Sequence, residues 1–367
     1  AKPAALTGEA KTLIGKRPAF DMTISYKKND TTAYVTDLKD GTATIGIPYK
    51  PTGKEKNGSI QAVYINSAGK PVFLPHSSLI DNKLFFGAKH FSVYAVGYVS
   101  SAPAFTDIAN HWAKDDIEFV AARGLLSGTG NNQFGPDTGV TRGMFVTALY
   151  RLAGSPQAAG EGSDFTDVPA DAYYTNAVKW AAQKGIVSGT TATTFAPDQA
   201  VARQEMAVIM VNYAKALDYT TPKTREAVTF ADSANIASWA KDAAKAMQMA
   251  GIINGKDGNR FDPKGTATRA EAAAVLHRYV ELVIDPATAQ GWDQNDSGVW
   301  MYYENGKPVT GEKTIGGATY HFDAKGLLPP TCSSVLQRHQ ISGTWNNQFS
   351  SDEPMTRAML QRFILSR

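Results

Sequence analysis

Apolar residues recur along this chain with two different periods, and the change of period divides it. Up to about residue 100 they alternate. Met22, Ile24 and Tyr26 stand between polar neighbours, and Ala43, Ile45 and Ile47 between polar or small ones, the spacing of a strand with one buried face. Apolar runs follow at Ile60–Ile65, Pro71–Leu74, Leu84–Phe86 and His90–Val96, with Asn66-Ser67-Ala68-Gly69 as a turn. Six short strands predict a β-sandwich-like domain over residues 1–100, truncated at its start.

Between residues 101 and 285 the pattern becomes helical. Ile117, Val120 and Ala121 fall at i, i+3 and i+4, and Phe145, Leu149 and Leu152 at i, i+4 and i+7. The stretch is also an internal repeat. Phe105-Thr106-Asp107, Phe165-Thr166-Asp167 and Phe230-Ala231-Asp232 open three units, about 104–155, 164–217 and 229–282. A first helix in each unit runs up to Gly124, Gly185 or Gly251, where a left-handed residue ends it. Gly128, Gly189 and Gly255 follow, then Phe134, Phe195 and Phe261, then Pro136, Pro197 and Pro263. A second helix opens at Arg142, Arg203 or Arg269, always 18 residues after the closing glycine. A single helix pair cannot bury its apolar face, but three stacked copies can.

Composition narrows the function. The 367 residues are 43% hydrophobic and 19% charged, a globular balance. Net charge is only +3, too even for a protein that holds nucleic acid through bulk charge. No run of eighteen apolar residues could span a membrane. The single Cys332 excludes a disulfide framework within the chain and a Cys-rich zinc site, and the six histidines form no HExxH pair. No second carboxylate keeps a fixed distance from Asp107, Asp167 or Asp232, so a glycosidase pair has no support. The expectation is a protein without catalytic residues, metal or cofactor. Ala1–Arg17 lacks the basic-then-apolar order of a secretion signal, and the chain reads as a piece of a larger protein.

The repeated residues resemble S-layer homology domains. The marks are the opening Phe-Thr-Asp, Trp112-Ala113 and Trp239-Ala240, the Gly-x-x-x-Gly, the Phe-x-Pro, and the whole box Thr268-Arg269-Ala270-Glu271. The resemblance implies an all-α, pseudo-threefold helical bundle with ligand grooves between units. It also implies non-covalent attachment, outside the cell at the wall or S-layer, to a secondary cell-wall polysaccharide, commonly bearing a pyruvate ketal. Residues 286–330 resemble a single choline- or glucan-binding type cell-wall repeat, built on Gly291-Trp292, Trp300 to Tyr303, Gly306, Thr310-Gly311 and Tyr320 to Phe322, with Glu312 where that family has Trp. Residues 341–349 echo 126–134, so 331–367 reads as a degenerate fourth unit.

Several residue types are candidates for contact with such a glycan. The box itself is a helix capping box, but it has decayed to Ala202 in the second unit and Met144 in the first, while Arg142, Arg203 and Arg269 persist. Capping gives no reason to keep them. A guanidinium at a helix start pairs well with a carboxylate; the other reading is a brace to the neighbouring unit. Gly124, Gly185, Ser127, Ser188 and Lys184 could shape and line the pocket, although a C-cap glycine and a turn serine explain the same residue types. Trp112, Tyr173 and Trp239 could stack on a sugar or pack between units. The aspartates read as structural caps at the helix entry. The repeat region carries 17 basic and 20 acidic side chains, net −3, so an anionic polymer must be held locally, with moderate salt sensitivity. Two rival readings remain: an anchor belonging to a larger surface hydrolase, and an adhesin that binds glycans through the β domain and the aromatic repeat.

Overall fold

A computed structural model of the chain describes residues 5–28, 31–35, 38, 42–158 and 165–329. The expected fourth unit at 331–367, with Cys332, lies outside the described residues.

The chain begins with a helix that the sequence pattern did not predict, α1 (Gly8–Ile14), capped by the Thr7 side chain. Nine strands follow: β1 (Ala19–Asp21), β2 (Ile24–Lys28), β3 (Thr31–Val35), β4 (Ala43–Pro48), β5 (Ile60–Ile65), β6 (Pro71–Leu74), β7 (Ser77–Ile80), β8 (Lys83–Ala88) and β9 (Val93–Tyr98). They form an antiparallel sheet in the order β1-β9-β5-β6, a second in the order β4-β8-β7, and the hairpin β2-β3. Ile47, Ile60, Ala62, Leu84, Phe86, Tyr94 and Val96 make one core shared by the two larger sheets. Alternation sends Val63, Ile65 and Ala95 to the opposite face of the first sheet, where Ala10 and Ile14 of α1 cover them.

Six helices come next: α2 (Lys114–Ala122), α3 (Arg142–Leu152), α4 (Thr175–Gln183), α5 (Arg203–Ala216), α6 (Lys241–Ala250) and α7 (Arg269–Ile284). Gly124, Gly185 and Gly251 have positive φ, as a helix-ending glycine should. The second helix of each unit packs on the first helix of the next: α3 on α4, α5 on α6, and α7 back on α2. The three units therefore close into a ring. At its centre the N–H of Val140 donates to the carbonyl of Ala267, that of Ala267 to Val201, and that of Val201 to Val140. All three side chains are fully buried, in a single core that runs through every unit.

Five more strands follow, β10 (Gly291–Gln294), β11 (Trp300–Glu304), β12 (Lys307–Pro308), β13 (Gly311–Ile315) and β14 (Ala318–Phe322), in sheets β10-β11-β12 and β13-β14. Trp292, Tyr302, Tyr320 and Phe322 all turn inward and pack on one another. The chain is thus a protein of several parts, with seven α-helices and several small sheets among the described residues.

The N-terminal sheets are fastened to the ring. Arg123 inserts its guanidinium among the carbonyls of Gly58, Ile60, Pro75 and Ser77, and Gly58 lies so close to Phe119 that a Cβ there would meet its backbone nitrogen at 2.9 Å. The half-buried His76, next to Pro75, stacks on Tyr219. Burial, with Lys89 and Arg123 nearby, pushes its pKa down to about 4, so it is held neutral.

Candidate functional site at the unit junctions

The three box arginines occupy equivalent places. Each reaches from its own helix start into the next unit around the ring. Arg142 Nε donates to the carbonyl of Phe195 at 2.9 Å, Arg203 to that of Phe261 at 2.8 Å, and Arg269 to that of Phe134 at 2.9 Å. All three are buried. They therefore do brace neighbouring units through main-chain carbonyls, and Arg142 and Arg203 add ion pairs.

Two of the junctions continue alike. Arg142 Nη2 donates to the carbonyl of Ser188 and Arg269 Nη2 to that of Ser127. Beside these arginines Gly124, Ser127, Gly185, Ser188 and Lys184 are exposed, and a Cβ added to Gly124 or Gly185 would meet nothing within 4 Å. Thus the structure brings Arg269 together with the Gly124–Ser127 edge, and Arg142 with the Lys184–Ser188 edge. Both edges are open to solvent.

The junction of the second and third units differs. Asn254 stands where Ser127 and Ser188 do, and Arg203 turns its Nη2 to Asp296 at 2.7 Å. The other oxygen of Asp296 accepts from Arg278 at 2.7 Å, and the N–H of Asn254 donates to Asp296 at 3.2 Å. Arg225 lies on Gly251, pairs with Asp293 at 2.6 Å and sits 3.6 Å from the Tyr303 ring centre. Gly251 and Gly255 are consequently buried, whereas Gly124 and Gly128 are exposed. What remains open beside them is a cavity of about 230 Å3 bordered by Arg225, Phe230, Asn259, Tyr303 and Lys325.

Electrostatics follow the same division. The acid at the fourth box position pairs with the preceding unit's arginine: Glu205 with Arg142 at 3.6 Å and Glu271 with Arg203 at 3.1 Å. Arg269 meets Met144 Sδ instead, at 3.7 Å, and makes no ion pair among the described residues. Burial pulls the pKa of Arg269 and Arg142 below the ordinary guanidinium value. Burial acts on Arg203 too, but Asp296 and Glu271 outweigh it and raise that pKa.

Other candidates fall into place around these junctions. Tyr173 and Trp239 are 59% and 58% exposed, but Trp112 is half-buried under Gly298, where a Cβ would meet it at 2.5 Å. The opening aspartates are structural, though they cap no helix. Asp107 accepts from the N–H groups of Phe134 and Gly135, Asp167 from Phe195 and Ala196, and Asp232 from Phe261 and Asp262. They clamp each Phe-x-Pro loop, and these bonds hold the Asp107 and Asp167 pKa below normal although burial opposes it. The full capping box exists only at Thr268 and Glu271. Thr141 keeps the hydroxyl half and Glu205 the carboxylate half.

Residues 104–143, 164–207 and 229–273 match the model of the S-layer homology domain. The chain carries three S-layer homology domains. Domains of this kind attach proteins to the bacterial cell wall. The chain is 35% identical over 196 residues to an amylopullulanase of Thermoanaerobacterium thermosulfurigenes, covering 53% of this chain and 10% of that protein. It is 35% identical over 185 residues to exoglucanase XynX of Acetivibrio thermocellus, covering 50% and 17%. It is 29% identical over 194 residues to the surface-layer 125 kDa protein of Lysinibacillus sphaericus, covering 52% and 16%. The aligned part is thus less than a fifth of each relative, and the family matches within it are to S-layer homology domains. The domains and the surface-layer relatives locate the protein at the cell wall or S-layer. No helix among the described residues is long and apolar enough to cross a membrane, and no group of side chains there could hold a metal ion.

Sequence reasoning missed Arg225, Asp293, Asp296 and the second cation Arg278. A signal for the last was present: Arg151, Asn212 and Arg278 each stand nine residues after a box arginine. Their side chains donate to the carbonyls of Leu125, Ile186 and Ile252, the same place in each unit.

Proposed function

We propose that the protein anchors a larger surface protein to the cell wall by holding a pyruvylated secondary cell-wall polysaccharide at the open unit junctions. The supporting observation is the pairing of a buried box arginine with an exposed glycine–serine edge at two junctions. Arg269 with Gly124 and Ser127 makes one seat, and Arg142 with Gly185, Ser188 and Lys184 the other. The guanidinium supplies local positive charge to a ketal carboxylate, and the bare glycine lets a sugar ring approach the backbone. Trp239 and Tyr173 offer exposed ring faces for sugar stacking.

In this reading residues 1–100 are a β-sandwich-like spacer, 101–285 the binding ring, and 286–330 one aromatic repeat of the choline- or glucan-binding type. The inward aromatics leave that repeat a strut without an open stacking box, which disfavours the adhesin reading. The carbohydrate-degrading relatives favour the anchor of a surface hydrolase, with catalysis elsewhere in the protein.

Sedimentation with purified cell walls tests the proposal, with and without chemical removal of pyruvate. Ser127→Trp and Ser188→Trp fill the open edges without touching the buried arginines. Binding is expected to fall with depyruvylation and with the double variant. Binding unchanged by both treatments overturns the site.

A further inference from the structure

The geometry points to a third carboxylate seat in the ring, at the junction of the second and third units, which the chain fills with its own Asp296. Around the ring the three junctions repeat the same parts: a box arginine, the residue nine positions along the next unit's second helix, and the turn following that unit's closing glycine. At this junction all of them converge on one acid. Asp296 Oδ2 takes Arg203 Nη2 and the N–H of Asn254, and Oδ1 takes Arg278 Nη1. Asp296 comes from outside the repeats, on the turn between β10 and β11, and its side chain is 1% exposed. Asp293, on β10, answers Arg225 and Asn254 Nδ2. Gly298 covers Trp112, the counterpart of the exposed Tyr173 and Trp239.

The inner acid therefore displays how a carboxylate sits between two units. Carried around the ring, the same seat at the third and first units consists of Arg269, Arg151 and the N–H of Ser127. At the first and second units it consists of Arg142 and the N–H of Ser188, with Asn212 replacing the second cation. Two consequences are specific. The intact chain takes two equivalents of an anionic glycan, and the seat with Arg151 is the tighter one.

The inference rests on the anchoring reading only for what fills the open seats, and the experiment separates the two. The full chain, Asp296→Ala and the isosteric Asp296→Asn are titrated calorimetrically with the 4,6-pyruvyl ketal of a methyl hexoside. Their melting temperatures are followed in sodium formate and in sodium chloride of equal ionic strength. The expected result is two equivalents bound by the parent and no more by Asp296→Ala, whose vacated seat stays covered by the chain and has room for formate but not for a hexoside. Formate should raise the melting temperature of Asp296→Ala several degrees more than that of the parent or of Asp296→Asn, whose amide still fills the seat, with chloride inert. Arg151→Gln should weaken one of the two parent sites about tenfold. Three equivalents on the parent overturn the inference, as does an Asp296→Ala variant that formate stabilises no more than it stabilises Asp296→Asn. A parent that binds no ketal overturns the anchoring proposal, while formate rescue still reads the third seat.

Discussion

Two junctions of the same ring, built from the same repeat, have become different things. Between the third and first units a buried guanidinium faces a thioether and an exposed serine edge. Between the second and third units its counterpart faces two carboxylates, and the edge is buried under Arg225 and the turn that carries Asp296. The contrast separates two duties of the box arginine. Bonds to main-chain carbonyls of the next unit are common to all three and hold the ring. A carboxylate on the remaining face is variable: the protein supplies one to Arg203, and none reaches Arg269 among the described residues, where the proposed glycan would bring it.

The sharpest way to break this comparison is to unpair the filled junction. Asp296→Ala leaves Arg203 with Glu271 alone and Arg278 with Asp293 alone, and removing one member of a buried pair costs about 3–5 kcal/mol. Denaturant unfolding should show that loss. Arg269→Met at the open junction should cost less, about 1–3 kcal/mol, because it strands only acceptors; equal losses would erase the distinction drawn here. Next in size is wall binding. Ser127→Trp or Ser188→Trp should each weaken it about tenfold, about 1.4 kcal/mol, with the melting temperature unchanged.

Met144→Glu sharpens the contrast from the other side. It completes the capping box with Thr141 and places an acid beside Arg269, so stability should rise by about 1 kcal/mol while wall binding falls. A variant that gains stability and keeps full binding would detach Arg269 from the ligand. The smallest effect concerns His277, which stacks on Phe119 and touches Asp116 at 2.7 Å and Glu281 at 3.5 Å, with Asp115 close by and Ser78 on Glu281. Against burial, Glu281 and Asp116 raise its pKa to about 9. A raised histidine pKa gives stability that is full below about 6.5 and lost as pH rises through 9. Melting temperatures from pH 6 to 9.5 should fall by this route, and His277→Gln should flatten the slope.

Much of the ring was legible because its constraints are local. Left-handed glycines and a constant 18-residue spacing are visible in any linear scan, and the aspartates' structural part was legible though their partners were not. The arginines were legible as odd survivors of a decayed box, yet their direction was not. Whether Arg269 reaches back to the first unit depends on ring closure, which no single repeat encodes. Asp296 was illegible for a related reason: it meets Arg203 across 93 residues and comes from a turn whose Asn-Asp-Ser-Gly pattern reads as ordinary loop chemistry. Arg225 sits outside the repeated positions altogether. The helix α1 is too short for its period to declare itself.

The closing bond of the ring also sets an order of events during synthesis. Arg269 lies 135 residues beyond its acceptor Phe134, and α2 waits for α7 to cover it. A nascent chain that has delivered one or two units therefore still shows bare apolar helix faces, and the central exchange among Val140, Val201 and Ala267 has nobody to complete it. The ring is one cooperative object rather than three beads. Genetic shuffling of such anchors should succeed only in whole sets of three, and a cut before Arg269 should leave an aggregating remnant instead of a weaker anchor.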